Sequence, residues 1–214
     1  MGVVVTPVPG ILCLGEALVD RLGPPGGNPA VDRPVDDRLG GAPANVACGL
    51  ARLGTEVAFL GRLGRDGIGD RFAGLFRQRG VDAAAVQWDA DRPSRIVLVR
   101  RGADGERQFQ GFAGDRGLGF ADQALEPVSL SAGARWLLIG SLSLASAPSA
   151  ESLRGAVAQA RSQGTALALD VNWRPTFWDD RADPAEGPGH NARALIQPLL
   201  EQAALIKLAR EEAL

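Results

Sequence analysis

Trp136-Leu137-Leu138-Ile139-Gly140, then Pro148 to Gln163, then Thr165-Ala166-Leu167-Ala168-Leu169-Asp170 is the stretch that decides the fold. Its outer segments are short apolar runs of the kind a buried strand shows, and the middle one sets Leu153, Ala156, Val157 and Ala160 on one helical face. A further helix over about 190 to 203, kinked or ended near Pro198, leads to Leu205-Ile206-Lys207-Leu208 as a last strand. Strand, helix, strand, helix, strand is the pattern of a parallel sheet with right-handed crossovers. The loops after these strands carry Ser141, Ser143, Asp170, Asn172, Arg174 and Glu212. Open α/β sheets place their ligands at those ends.

The same rhythm extends toward the N-terminus. After a short tail over residues 1 to 10, Ile11-Leu12-Cys13-Leu14-Gly15 reads as a buried strand, with Glu16 and Asp20 past its end. Asp20 there either meets a ligand or caps a turn before Gly23-Pro24-Pro25-Gly26-Gly27. Residues 23 to 38, rich in Pro, Gly, Asp and Arg, read as a surface excursion. Gly40-Gly41-Ala42-Pro43-Ala44-Asn45 then opens a helix that Gly54 closes. The glycine pair lets backbone approach a ligand, and Asn45 lies in the first turn beside free backbone donors; an ordinary glycine-capped helix is the plainer reading. Glu56 to Gly61 is another strand. The glycines of residues 61 to 69 are no phosphate loop, because neither G-x-G-x-x-G after the first strand nor G-x-x-x-x-G-K-[ST] is present.

Ile68, Phe72, Leu75 and Phe76 form the next helical stripe, closed by Gly80. Residues 95 to 101 and 107 to 112 alternate about Asp104-Gly105 as a hairpin, which interrupts the strand–helix rhythm. That hairpin is expected to pair with residues 23 to 38 as a small sheet over one mouth of the main domain.

Composition narrows the function. A chain of 214 residues with 45% apolar content can bury a core, and its formal charge of −2 leaves no electrostatic footprint for nucleic acid. No apolar run reaches the roughly 18 residues of a membrane span. Cys13 and Cys48 have no metal or redox spacing, so two buried, reduced thiols in a cytoplasmic protein are expected.

Several of these segments together carry a resemblance. Gly15-Glu16-Ala17-Leu18-Val19-Asp20, then Gly40 to Asn45 through Gly54 to Gly61-Arg62-Leu63-Gly64, is similar to the N-terminal signature of the PfkB/ribokinase family of carbohydrate kinases, best to fructokinases. Ile139-Gly140-Ser141-Leu142-Ser143-Leu144, Asp170-Val171-Asn172-Trp173-Arg174 and Ile206-Lys207 through Glu211-Glu212 agree with it, so the resemblance spans residues 11 to 214. It implies a ribokinase-like, Rossmann-like α/β fold: a three-layer parallel sheet with a small β lid over about 20–38 and 92–112. Residues 1–214 would then be the N-terminal and central part of the kinase domain, with its C-terminal part missing.

The resemblance also implies a reaction, transfer of the γ-phosphoryl group of ATP, with magnesium, to a primary hydroxyl of a sugar, most simply fructose. Asp20, Gly40, Gly41 and Asn45 match sugar-binding positions, and Arg174 matches an arginine near the acceptor sugar or its phosphate. A carboxylate accepts from two vicinal hydroxyls and an amide both donates and accepts, which suits a polyol. Lys207 and Glu212 match the nucleotide side, with Glu212 acting on magnesium through water. Ala209 departs from the family, which has Asn or Ser there. The family's G-A-G-D segment, with its general base, is expected beyond Leu214. A homodimer through the lid is a further implication. The alternatives are a non-catalytic sugar-binding fragment, or a 2-keto-3-deoxygluconate or nucleoside kinase. A nicotinamide-dependent enzyme is disfavoured because Glu16 and Asp20, and not a glycine fingerprint, follow the first strand. His190 has no nucleophile to pair with, and Trp173, Phe177 and Trp178 read as packing residues.

Overall fold

The computed structural model describes residues 9–102, 107–183 and 185–212. Strand β1 (Ile11–Leu14) is followed by β2 (Leu18–Pro25), β3 (Asp36–Gly40), α1 (Ala42–Arg52), β4 (Val57–Leu60), β5 (Arg62–Gly64), α2 (Gly67–Arg79) and β6 (Gln87–Asp89). Then come β7 (Ile96–Arg101), β8 (Arg107–Ala113), β9 (Trp136–Gly140), α3 (Ala147–Gln163), β10 (Ala166–Asp170), α4 (Pro175–Trp178), α5 (His190–Gln202) and β11 (Leu205–Lys207). The central sheet has the order β11-β10-β9-β1-β4 and every neighbouring pair in it is parallel.

Side chains alternate across each strand, and this divides the core in two. Leu12 and Leu14 of β1 join Leu137, Ile139, Leu167 and Leu169 against Leu153 and Ala156 of α3 and Ile196 of α5. Cys13, between them, points to the other face, where Phe59, Ala44 and Ala47 meet Phe72 and Phe76 of α2. Two packed faces on one parallel sheet give the expected three layers.

The excursion and the hairpin join as anticipated in a second sheet of order β3-β2-β7-β8, while β5 and β6 form a short parallel pair. Within the second sheet Arg21 and Asp37 stand opposite each other, and their guanidinium and carboxylate make two 2.7 Å bonds. The hydrogen bonds from Arg21 hold the Asp37 carboxyl below the usual carboxylate range. Asp66 fixes this sheet to the main body. Its Oδ1 caps α2 by accepting from the N–H groups of Ile68 and Gly69 at 3.0 and 2.9 Å, and its Oδ2 accepts from Ser94 N–H at 2.7 Å, just ahead of β7.

Three expectations change. Asp20 caps no turn; it lies inside β2, in register with Arg38 of β3 and Val97 of β7. The last long helix does not end at Pro198, which lies within α5. Cys48 is half-buried, unlike the fully buried Cys13, and both thiols are free. The N-terminal tail up to residue 8 and the Asp104-Gly105 turn lie outside the described residues.

Leu153 has 0% exposure at the centre of the α3 contact. Truncating it leaves a cavity that neighbours refill only in part, so Leu153→Ala is expected to destabilise the chain by about 3 kcal/mol in denaturant titration.

Candidate functional site

The site begins where the chain leaves the small sheet and enters α1. Gly41 has φ +97, and a Cβ there would come within 2.5 Å of the carbonyl oxygen of Glu16. Only glycine fits, and the close crossing brings the start of α1 onto the end of β1. Glu16 is 2% exposed. Its Oε1 accepts from the N–H of Ala42 at 3.0 Å, satisfying one of the free donors at the helix start. Its Oε2 is buried with no hydrogen-bond partner among the described residues. Burial pushes this carboxyl up to about 7, repulsion from Asp122 and Asp170 adds to the rise, and backbone N–H bonds only partly offset it.

Asp20 and Asn45 reach the same place from different elements. Asp20 projects from β2, and a Cβ on Gly40 would stand 3.0 Å from its Oδ2, so Gly40 leaves room for the carboxylate. Asn45 lies in the first turn of α1, which Pro43 opens. Arg174 follows β10 as the residue that caps α4, after Asn172, whose φ of +40 turns the chain at the strand end. A cavity of about 580 Å³ lies between the small sheet and the C-terminal ends of β1 and β10, lined among others by Asp20, Gly41, Asn45, Arg107, Arg174 and Phe177. Burial raises the pKa of Asp20, while Arg107 and Arg174 oppose the rise.

Four of the five residues expected to bind sugar therefore line one cavity: Asp20, Gly41, Asn45 and Arg174. Gly40 stands behind Asp20 and does not line it. A second cavity, of about 620 Å³, shares Trp173 and Arg174 with the first and contains Glu212. The Glu212 carboxylate accepts from Trp173 N–H through Oε1 and from Ala209 N–H through Oε2, both at 2.7 Å. Oε1 also lies 3.5 Å from Arg174 Nη1. Glu212 thus ties the β10–α4 turn to the segment after β11. Lys207 lines neither cavity; its Nζ lies 3.0 Å from Asp170 Oδ1 at the strand ends.

Arg107 and Phe109 are cavity residues that sequence reasoning missed. Alternation along the hairpin was visible, but the face turned to the cavity depends on how the hairpin docks on β2.

Comparison with known proteins fits this geometry. The family model for pfkB family carbohydrate kinases matches residues 9–214. This chain belongs to that family. It is 32% identical over 206 residues to a fructokinase of Oryza sativa subsp. japonica, covering 94% of this chain and 60% of the relative. The ATP-bound fructokinase of Xylella fastidiosa superposes with a TM-score of 0.78 at 30% identity, over 96% of this chain and 63% of that one. The fructokinase of Vibrio cholerae O395 in its fructose, ADP and calcium ion bound form gives 0.75 at 27% identity, over 94% and 60%. The chain thus spans about 60% of the length of the curated relatives it matches. The ribokinase-like fold expected from the motifs is the one these family members share with it. Among the described residues no helix is long and apolar enough to cross a membrane.

The buried glutamate at position 16 gives a prediction in pH. A buried acid whose folded pKa of about 7 exceeds its ordinary 4.5 binds more protons folded than unfolded between those values. Its stabilisation is complete below 4.5 and is lost as pH rises through 7. Asp20 shifts in the same direction, while Asp37 and Asp89 shift downward and act only in acid. The unfolding midpoint is therefore expected to fall from pH 5 to pH 8, and Glu16→Gln to flatten much of that fall in thermal denaturation.

Proposed function

We propose that this chain is the sugar-binding part of an ATP-dependent carbohydrate kinase, with fructose as the acceptor. The observation that carries the reading is the convergence of Asp20, Asn45, Gly41 and Arg174 on one cavity at the C-terminal ends of a parallel sheet. The Asp20 carboxylate would accept hydrogen bonds from two neighbouring hydroxyls and the Asn45 amide would donate and accept, fixing the ring by its hydroxyl pattern. Gly41 would bring backbone against the sugar where a side chain would intrude. Arg174 borders both cavities, so its guanidinium would face charge at the acceptor hydroxyl.

ATP, supported by the ATP-bound relative, belongs to the same proposal, and magnesium is carried with it. Glu212 fits magnesium only through water, because both its oxygens already accept from backbone N–H groups. Lys207 would lie on the nucleotide side, and magnesium would supply charge neutralisation on the phosphates. Among the described residues no group of three or more His, Cys, Asp or Glu stands ready to hold a metal directly. No general base is assigned on this chain. A cytoplasmic location and a homodimer through the small sheet are carried with the proposal, and equilibrium sedimentation would read the latter as a doubled mass.

A second reading has its own support. Arg107 and Arg174 both border the cavity, and two guanidiniums suit a carboxylate, as in a sugar acid such as 2-keto-3-deoxygluconate.

Isothermal titration of the chain with fructose and with 2-keto-3-deoxygluconate separates the two. Fructose is expected to bind, and Asp20→Ala to weaken it about tenfold to a hundredfold through loss of charge-assisted hydrogen bonds. Tighter binding of the sugar acid, lost in Arg107→Met, would favour the second reading. Binding of neither would contradict both.

A further inference from the structure

Arg95 is a buried cation that the sugar site does not use. It is 4% exposed, precedes β7, and is absent from the cavity wall. Its guanidinium meets Asp122 fork on fork, with Nε 2.9 Å from Oδ2 and Nη2 3.1 Å from Oδ1. The same flat group packs against three aromatic rings, its central carbon 4.9 Å from the centroid of Phe112, 4.7 Å from Phe120 and 4.8 Å from Phe177. Each ring presents a negative face to the cation, and burial strengthens the attraction.

These partners come from parts of the chain that are otherwise separate. Phe112 lies on β8 of the small sheet. Phe120 and Asp122 belong to the connection that leads on to β9, where Asp122 lies in a single 3-10 turn (Ala121–Ala124). Phe177 lies in α4, three residues beyond Arg174. The rings also touch one another: Phe112 meets Phe177 edge-on at 5.0 Å and Phe109 at 5.0 Å. Phe109 and Phe177 are themselves cavity residues. The backbone beside Arg95 is fixed as well, because Ser94 N–H is bound to Asp66 at the start of α2. Removing the guanidinium would uncouple three segments at once.

We propose that Arg95 is a positioning residue that latches the small sheet to the turn carrying Arg174, and so sets the shape of the cavity without touching its ligand. The proposal rests on the sugar-binding reading for its consequence in affinity, but the latch is a property of the chain alone. Arginine is required because the group must be planar to pack among rings and forked to engage both carboxylate oxygens. Lysine offers a point charge that does neither.

Hydrogen–deuterium exchange of the whole chain, read beside a fructose titration, tests this. Arg95→Lys keeps the charge that balances Asp122 but loses the plane and the fork. The latch predicts amide exchange at least about fivefold faster in β8 and in residues 172–178, two segments far apart in sequence, with α3 and β9 unchanged. Fructose affinity should fall about tenfold in the same variant. Asp122→Asn, which holds the ring contacts but loosens the fork, should move the same two segments less, and it decides the matter if Arg95→Lys does not fold. Exchange that rises evenly through the chain, or stays unchanged in β8 and 172–178, overturns the proposal. If the unaltered chain binds no fructose, the sugar reading fails and the exchange pattern alone judges the latch.

Discussion

The close crossing of Gly41 over the Glu16 carbonyl is the constraint on which the rest of the site depends. A chain leaving β3 must turn into α1 across the end of β1, and a side chain at position 41 would collide with backbone. Because it does not, the first turn of α1 comes down on the strand end and Ala42 offers its N–H to Glu16. The same crossing delivers Asn45 to the cavity that Asp20 reaches from β2. A helix start, a strand end and a strand of the second sheet therefore meet because one residue lacks a Cβ.

Charge is distributed around this junction so that the polar groups stay usable. Asp20 feels Arg107 and Arg174 across the cavity, and among the described residues it makes no direct salt bridge. Among the described residues Glu16 has no cation beside it, and it answers burial by holding its proton toward neutrality. The strong pairing is kept away from the cavity: Arg21 with Asp37 across the small sheet and Arg95 with Asp122 beneath it. A forked pair that is fully engaged contributes rigidity, and a carboxylate with open lone pairs contributes recognition.

The layers were legible because they rest on local periodicity. The continuous apolar runs of β1, β4 and β9, the helical stripes of α1, α2 and α3 and the alternation of the hairpin are written into neighbouring residues. The placement of Asp20 was harder to read, since Leu18 to Pro25 contains a glycine and two prolines that look like loop, and its pairing with β3 and β7 depends on residues far along the chain. The β5–β6 pair is only three residues long in each strand and gives no periodic signal. At the site, Asp20, Gly41, Asn45 and Arg174, fixed by motif spacing, line the sugar-side cavity, whereas Gly40 and Lys207 do not, and Arg107 comes to it only through docking of the hairpin. Gly40 stands beside Asp20, where a Cβ would come 3.0 Å from Oδ2. The Arg95 cluster had no sequence signature at all, because its partners are joined by tertiary packing and not by spacing.

The most direct test is a crystal structure of this chain grown with fructose. The account predicts a sugar seated between the small sheet and the strand ends, with hydroxyls on Asp20 and Asn45 and a ring carbon against Gly41. Fructose bound elsewhere, or a sugar in this cavity that makes no bond to Asp20 or Asn45, would contradict it.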